Sequence, residues 1–132
     1  MTSCKPRLLV VDDDPFVLDM LVILLEEKGY PVEAVENGKE ALEVFGRHSD
    51  IGLVLTDMNM PVMDGLKLTG EIRQMDATVP ILLLTAHDDQ ALTGLAREKG
   101  ATGCLAKDEN LMEGIAGVVA SVLACAPVPM AT

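Results

Sequence analysis

The chain has 132 residues and a formal net charge of −11, with 49% hydrophobic residues but only 2% aromatic ones. That length suits one domain with a sizeable core, while the acidity and the scarcity of rings argue against a nucleic-acid groove, which needs a basic footprint and stacking surfaces. No apolar run approaches the roughly 18 residues of a membrane helix, and the start, MTSCKPRLLVVDDD, meets acids too early for a secretory signal. The expectation is a cytoplasmic chain that binds neither membrane nor nucleic acid. Its three scattered cysteines, Cys4, Cys104 and Cys125, are expected as reduced thiols.

In chain order, apolar runs alternate with amphipathic segments. The runs are Leu8–Val11, Val32–Val35, Ile51–Leu55, Ile81–Leu84 and a weaker one over Thr102–Ala106. After the first, Asp14-Pro15 reads as an N-cap with proline at the first helical position. Phe16, Val17, Met20, Leu21, Leu24 and Leu25 then recur at helical spacing until Lys28-Gly29. Asn37-Gly38-Lys39-Glu40 opens a second helix in the manner of a capping box, running to about Arg47. Asp64 caps a third over Leu66–Met75. Asp88 or Asp89 caps a fourth that Lys99-Gly100 ends, and a fifth spans Glu109–Leu123 with Gly114 and Gly117 inside it.

Strands alternating with helices through short connections mean parallel strands joined by right-handed crossovers, with helices on both faces. Near-continuous Val, Leu and Ile are what strands covered on both sides require. The sequence therefore predicts one doubly wound α/β domain over residues 6–124, with CAPVPMAT at 125–132 as a flexible tail or linker stub.

Ligands of such sheets bind beyond the carboxyl ends of the strands. There the sequence delivers Asp12 and Asp13 from the first strand, Asp57 from the third, Thr85 from the fourth and Lys107 from the fifth. Any one of these is an ordinary cap or surface group. Together they are three carboxylates, a hydroxyl and an ammonium on one rim. Clustered carboxylates repel one another, and a hard divalent cation resolves the conflict. Mg²⁺, with Mn²⁺ as a substitute, suits Asp12 or Asp13 with Asp57 and the backbone carbonyl of Asn59. A carboxylate beside such an ion can attack phosphorus, while Lys107 and Thr85 face the phosphoryl oxygens.

LLVVDDDP at 8–15, LTDMNMPVMDG at 55–65, ILLLTA at 81–86 and GATGCLAK at 100–107 carry a resemblance to the receiver domains of two-component response regulators. The resemblance implies a five-stranded (βα)5, flavodoxin-like sheet in the order 2-1-3-4-5. It implies that Asp57 accepts a phosphoryl group from a phosphohistidine on a histidine kinase or histidine phosphotransfer protein. Asp12, Asp13, Asp57 and the Asn59 carbonyl would hold Mg²⁺, Lys107 would pair with the phosphoryl group, and Thr85 would move toward it. In the family that movement biases a two-state equilibrium and remodels the surface of the fourth helix, fifth strand and fifth helix. Such a chain works as a monomer or a phosphorylation-dependent dimer, is not an enzyme acting on other substrates, and has a downstream target that its receiver does not reveal. His87 sits where the family tunes the phosphoryl lifetime. The family's usual aromatic switch residue is replaced by Cys104, and the proline that usually follows the lysine is replaced by Asp108.

Two other readings stand beside this one. An atypical receiver could serve only as a protein-binding module, never phosphorylated. Asp12-Asp13-Asp14-Pro15-Phe16 also approximates the opening signature of haloacid-dehalogenase-like phosphatases, although that reading leaves Asp57 without a role. Turnover of a phosphate ester that depends on Asp12 and not on Asp57 would single it out.

Overall fold

In the computed structural model, which describes residues 6–48, 50–58, 60, 63–76, 78–85, 90–107 and 111–125, strands and helices alternate throughout. The order is β1 (Arg7–Val11), α1 (Pro15–Glu27), β2 (Val32–Val35), α2 (Gly38–Arg47), β3 (Ile51–Asp57), α3 (Gly65–Met75), β4 (Ile81–Thr85), α4 (Gln90–Glu98), β5 (Gly103–Ala106) and α5 (Leu111–Cys125). All five strands are parallel and lie in the order β2-β1-β3-β4-β5, the doubly wound arrangement that the apolar runs predict.

The helix starts follow from local hydrogen bonding. Asp14 accepts from Phe16 N at 3.0 Å, Asn37 from Glu40 N at 2.8 Å and Asp64 from Lys67 N at 2.8 Å, each satisfying a donor that the first helical turn leaves free. The return half of the expected capping box differs slightly, because Glu40 Oε1 accepts from Glu36 N, one residue before the cap. Gly29 and Gly100 stop α1 and α4 with φ of 92° and 107°, a backbone region that costs glycine nothing. The expected caps Asp88 and Asp89, the first residues of the expected fifth helix, and the tail beyond 125 lie outside the described residues.

β1 and β3 form the centre of the sheet. Leu8, Leu9, Val10 and Val11 are all fully buried, so no alternation survives in their sequence. Their side chains nevertheless point alternately to two faces. Leu8 and Val10 join Leu18, Leu21 and Leu25 of α1 and Ile115 and Val119 of α5. Leu9 and Val11 join Ala41, Val44 and Phe45 of α2 and Leu68 and Ile72 of α3. A third, smaller cluster holds α4 to the sheet through Ala96, with Leu83, Met58 and Ala101 and with Leu66 and Cys104 against its edge.

One expectation is refined here. Phe16 and Met20 belong to the apolar repeat of α1, yet Phe16 is 73% exposed and Met20 37%, and the buried positions are Leu18, Leu21 and Leu25. The helix is apolar nearly all round, so its sequence period does not say which stripe meets the sheet.

Candidate functional site

Because the strands are parallel, their carboxyl ends share one edge, and the strand order reverses between β1 and β3. That reversal opens the crevice in which ligands of doubly wound sheets sit. Asp12 follows β1 and its backbone N–H donates to Val35 O at 3.2 Å, tying it to the end of β2. β3 runs two residues beyond the apolar stretch Ile51–Leu55, so Asp57 closes the strand from within and pairs with Leu84 of β4. Thr85 ends β4 beside Ala106 of β5. Lys107 comes next and donates its backbone N–H to Thr85 O at 2.6 Å.

These placements bring the carboxylates and the ammonium into contact. Lys107 Nζ lies 2.7 Å from Asp12 Oδ2 and 3.1 Å from Asp57 Oδ1. Asp12, Asp13 and Asp57 each present a carboxylate oxygen within 4.8 Å of the others. Asp12 is fully buried and Asp57 is 6% exposed, whereas Asp13 faces solvent. Asp12 Oδ1 accepts from Asp14 N at 2.9 Å, so this carboxylate also shapes the turn into α1.

Burial alone would lower the pKa of Lys107, but the carboxylates of Asp12 and Asp57 outweigh it and hold the ammonium above its ordinary value. Among the described residues, one lysine stands against a cluster of three carboxylates, which leaves that group net negative. Two like charges about 4 Å apart repel by roughly 4 kcal/mol at an effective dielectric of about 20. Among the described residues, the ion pair with Lys107 Nζ at 2.7 Å is what the structure shows facing the buried Asp12 Oδ2. An all-oxygen set of three clustered carboxylates fits a hard divalent cation such as Mg²⁺. Asp12, Asp13 and Asp57 are the described residues that could hold it.

Thr85 is also buried at this edge, at 4% exposure. Cys104 is half-buried on β5, pairs with Leu83 and packs against the α4 cluster rather than against the carboxylates. Asn59, His87 and Asp108 lie outside the described residues. The segment after Asp57 is anchored by its methionines and its backbone. Met58 and Met60 are 4% and 9% exposed and serve as core side chains. Met58 N donates to Leu84 O at 2.8 Å, and Met58 O accepts from Gly65 N at 2.9 Å.

The fold and this rim define a doubly wound domain with an acidic, lysine-bridged crevice at its strand ends. Residues 8–118 match the family model of the response regulator receiver domain, and the chain belongs to that family. It is 40% identical over 114 residues to the transcriptional regulatory protein CpxR homolog of Haemophilus influenzae, covering 86% of this chain and 49% of that protein. To the transcriptional regulatory protein GlrR of Escherichia coli it is 39% identical over 106 residues, or 80% of this chain and 24% of that one. The chain thus spans half or less of the length of these relatives. Among solved structures, the chemotaxis protein CheY4 of Vibrio cholerae superposes with a TM-score of 0.85 at 30% identity, covering 90% of this chain and 99% of that one.

Proposed function

We propose that this chain is a phosphoacceptor switch whose Asp57 takes a phosphoryl group from a phosphohistidine on a histidine kinase or histidine phosphotransfer protein. The observation that carries the reading is the double contact of Lys107 Nζ with Asp12 and Asp57, beside an Asp13 that completes a divalent-cation donor set.

In this reading an Asp57 oxygen attacks phosphorus in line with the donor's P–N bond. The P–O bond forms as P–N breaks, and the electron pair stays on the imidazole nitrogen, which leaves neutral when the other ring nitrogen is protonated. Lys107 neutralises charge on Asp57 and on the incoming oxygens, at a position fixed by the backbone bond to Thr85. The Thr85 hydroxyl, buried at the same edge, answers the new group and biases the α4-β5-α5 surface. Asp12, Asp13 and Asp57 would hold Mg²⁺, with the Asn59 carbonyl as a further ligand, and the ion when bound would supply the charge neutralisation that lets a carboxylate approach an anion. His87 and Cys104 tune the lifetime and readout of the acyl phosphate.

The donor is a protein rather than a metabolite. Phe16 and Ile23 of α1 are 73% and 55% exposed and Met20 is 37% exposed. They lie at i, i+4 and i+7 on one face of the helix that starts beside the acidic rim. Residues 6–124 form the receiver, 125–132 a tail or linker stub, and the domain acts in the cytoplasm through protein contacts alone.

Incubation with Mg²⁺ and acetyl phosphate, followed by intact mass measurement, tests the proposal. One phosphoryl addition is expected, lost in Asp57→Ala and strongly reduced without Mg²⁺. No addition from acetyl phosphate or from any phosphohistidine donor would leave the chain as a binding module.

A further inference from the structure

We infer that Gly65 is a positioning residue for the acceptor, a role that rests on Asp57 receiving the phosphoryl group. A Cβ at position 65 would lie 2.6 Å from the backbone oxygen of Asp57, 3.0 Å from Met58 Cα and 2.9 Å from Leu83 Cδ2. Two of those three neighbours are backbone atoms of the acceptor segment itself, which cannot step aside as a flexible side chain can.

The glycine is pinned where it stands. Its N–H donates to Met58 O at 2.9 Å, and its carbonyl accepts from the hydroxyl of fully buried Thr69 at 2.8 Å. Met58 N is in turn fixed to Leu84 O at 2.8 Å. The first turn of α3 therefore forms a wall directly behind the Asp57–Met58 peptide. That peptide sets where the Asp57 carboxylate stands against Lys107, and the chain leaves it toward Asn59. Any side chain at position 65 pushes the wall and the peptide apart. Where chemistry depends on alignment, a misplacement of about 1 Å can cost about a hundredfold in rate.

Other helical glycines differ. At Gly70, in the same helix, an added Cβ meets nothing within 4 Å, and at Gly46 it meets only the end of the Met75 side chain at 3.6 Å. Alanine at both positions favours helix and raises stability without touching the site.

The test compares Gly46→Ala/Gly70→Ala with the same protein carrying Gly65→Ala in addition, so that stability lost at position 65 is offset. Mg²⁺ affinity is measured by calorimetry and acetyl phosphate modification at saturating Mg²⁺ by intact mass, with circular dichroism at 10 °C to establish folding. The background is expected to match the wild type. Adding Gly65→Ala is expected to weaken Mg²⁺ binding at least fivefold and slow modification at least tenfold with the dichroism unchanged. Equal affinity and rate, or a triple variant unfolded at 10 °C, would overturn the inference and reduce Gly65 to a structural role. A background that takes no phosphoryl group would count against the acceptor reading instead, and Mg²⁺ affinity would still decide the role of Gly65.

Discussion

Lys107 is the residue on which the electrostatics of the rim balance, since it faces Asp12 and Asp57 at once. Its pKa is raised, so the stability it contributes is complete below the ordinary lysine value of 10.5 and is lost as pH climbs through the higher folded value. Replacing it with methionine leaves two buried carboxylates facing each other. The expected cost at pH 7 without divalent cation is about 1–3 kcal/mol, less than for a fully buried pair because the lysine keeps some solvent. Thermal melts should show that deficit at pH 7, narrowing above pH 10.5 and also when Mg²⁺ is added. The acids and the lysine were legible in the sequence because a parallel sheet gathers its strand ends on one edge. The burial of Asp12 against the exposure of Asp13 was not, since adjacent residues in a turn carry no periodicity. His48 stands at the carboxyl end of α2. It caps α2 with its side chain one-third exposed, 4.0 Å from both Glu33 and Asp50.

Among the elements, α3 shows how much one capping residue can organise. Asp76, at its C-cap, accepts from Thr78 N at 2.8 Å, Thr78 Oγ1 at 2.9 Å and Val79 N at 3.1 Å, and so builds the turn into β4. Those hydrogen bonds, the one from Thr78 N foremost, hold its carboxyl below the ordinary value of 3.8. The stability Asp76 contributes is therefore present above pH 3.8 and disappears as pH falls through the lower folded value. Asp76→Ala should cost about 1–2 kcal/mol at pH 7, a difference in urea midpoint that vanishes in acid. Helix positions were readable from caps and glycines, as at Asp14, Asn37, Asp64, Gly29 and Gly100. The buried face of α1 was not, because nine of its first eleven residues after Asp14 are apolar and any stripe would have served. Nor was the bond from Arg73 Nε to Gly100 O at 2.8 Å, a link across 27 positions that no local pattern announces.

On the scale of the whole molecule, the two ends of the sheet have opposite characters. At the amino ends of the strands Arg7 bonds both Glu33 and Asp50, at 3.1 Å each, and draws β1, β2 and the start of β3 together. At the carboxyl ends acids outnumber the cation, with the exposed apolar stripe of α1 alongside. Phe16→Asp should leave acetyl phosphate modification within twofold of wild type. The same variant should slow transfer at least tenfold from a phosphorylated histidine phosphotransfer protein that charges the wild type. An equal loss with both donors would mean that the substitution disturbs the rim itself.

The small cluster under α4 has a consequence for motion. Among the described residues, α1, α2, α3 and α5 sink into broad layers of leucine, isoleucine and valine, whereas α4 is held through Ala96 against Leu83, Met58 and Ala101. Ala96 has only a methyl group to bury, so this residue itself contributes little of the free energy that keeps α4 closed. In native-state hydrogen exchange the amides of Ala96–Glu98 should lose protection before those of α1 or the central strands, in an opening that does not respond to low denaturant. Because Met58 is both a floor for this helix and the neighbour of Asp57, occupancy of the rim should change how often that opening occurs.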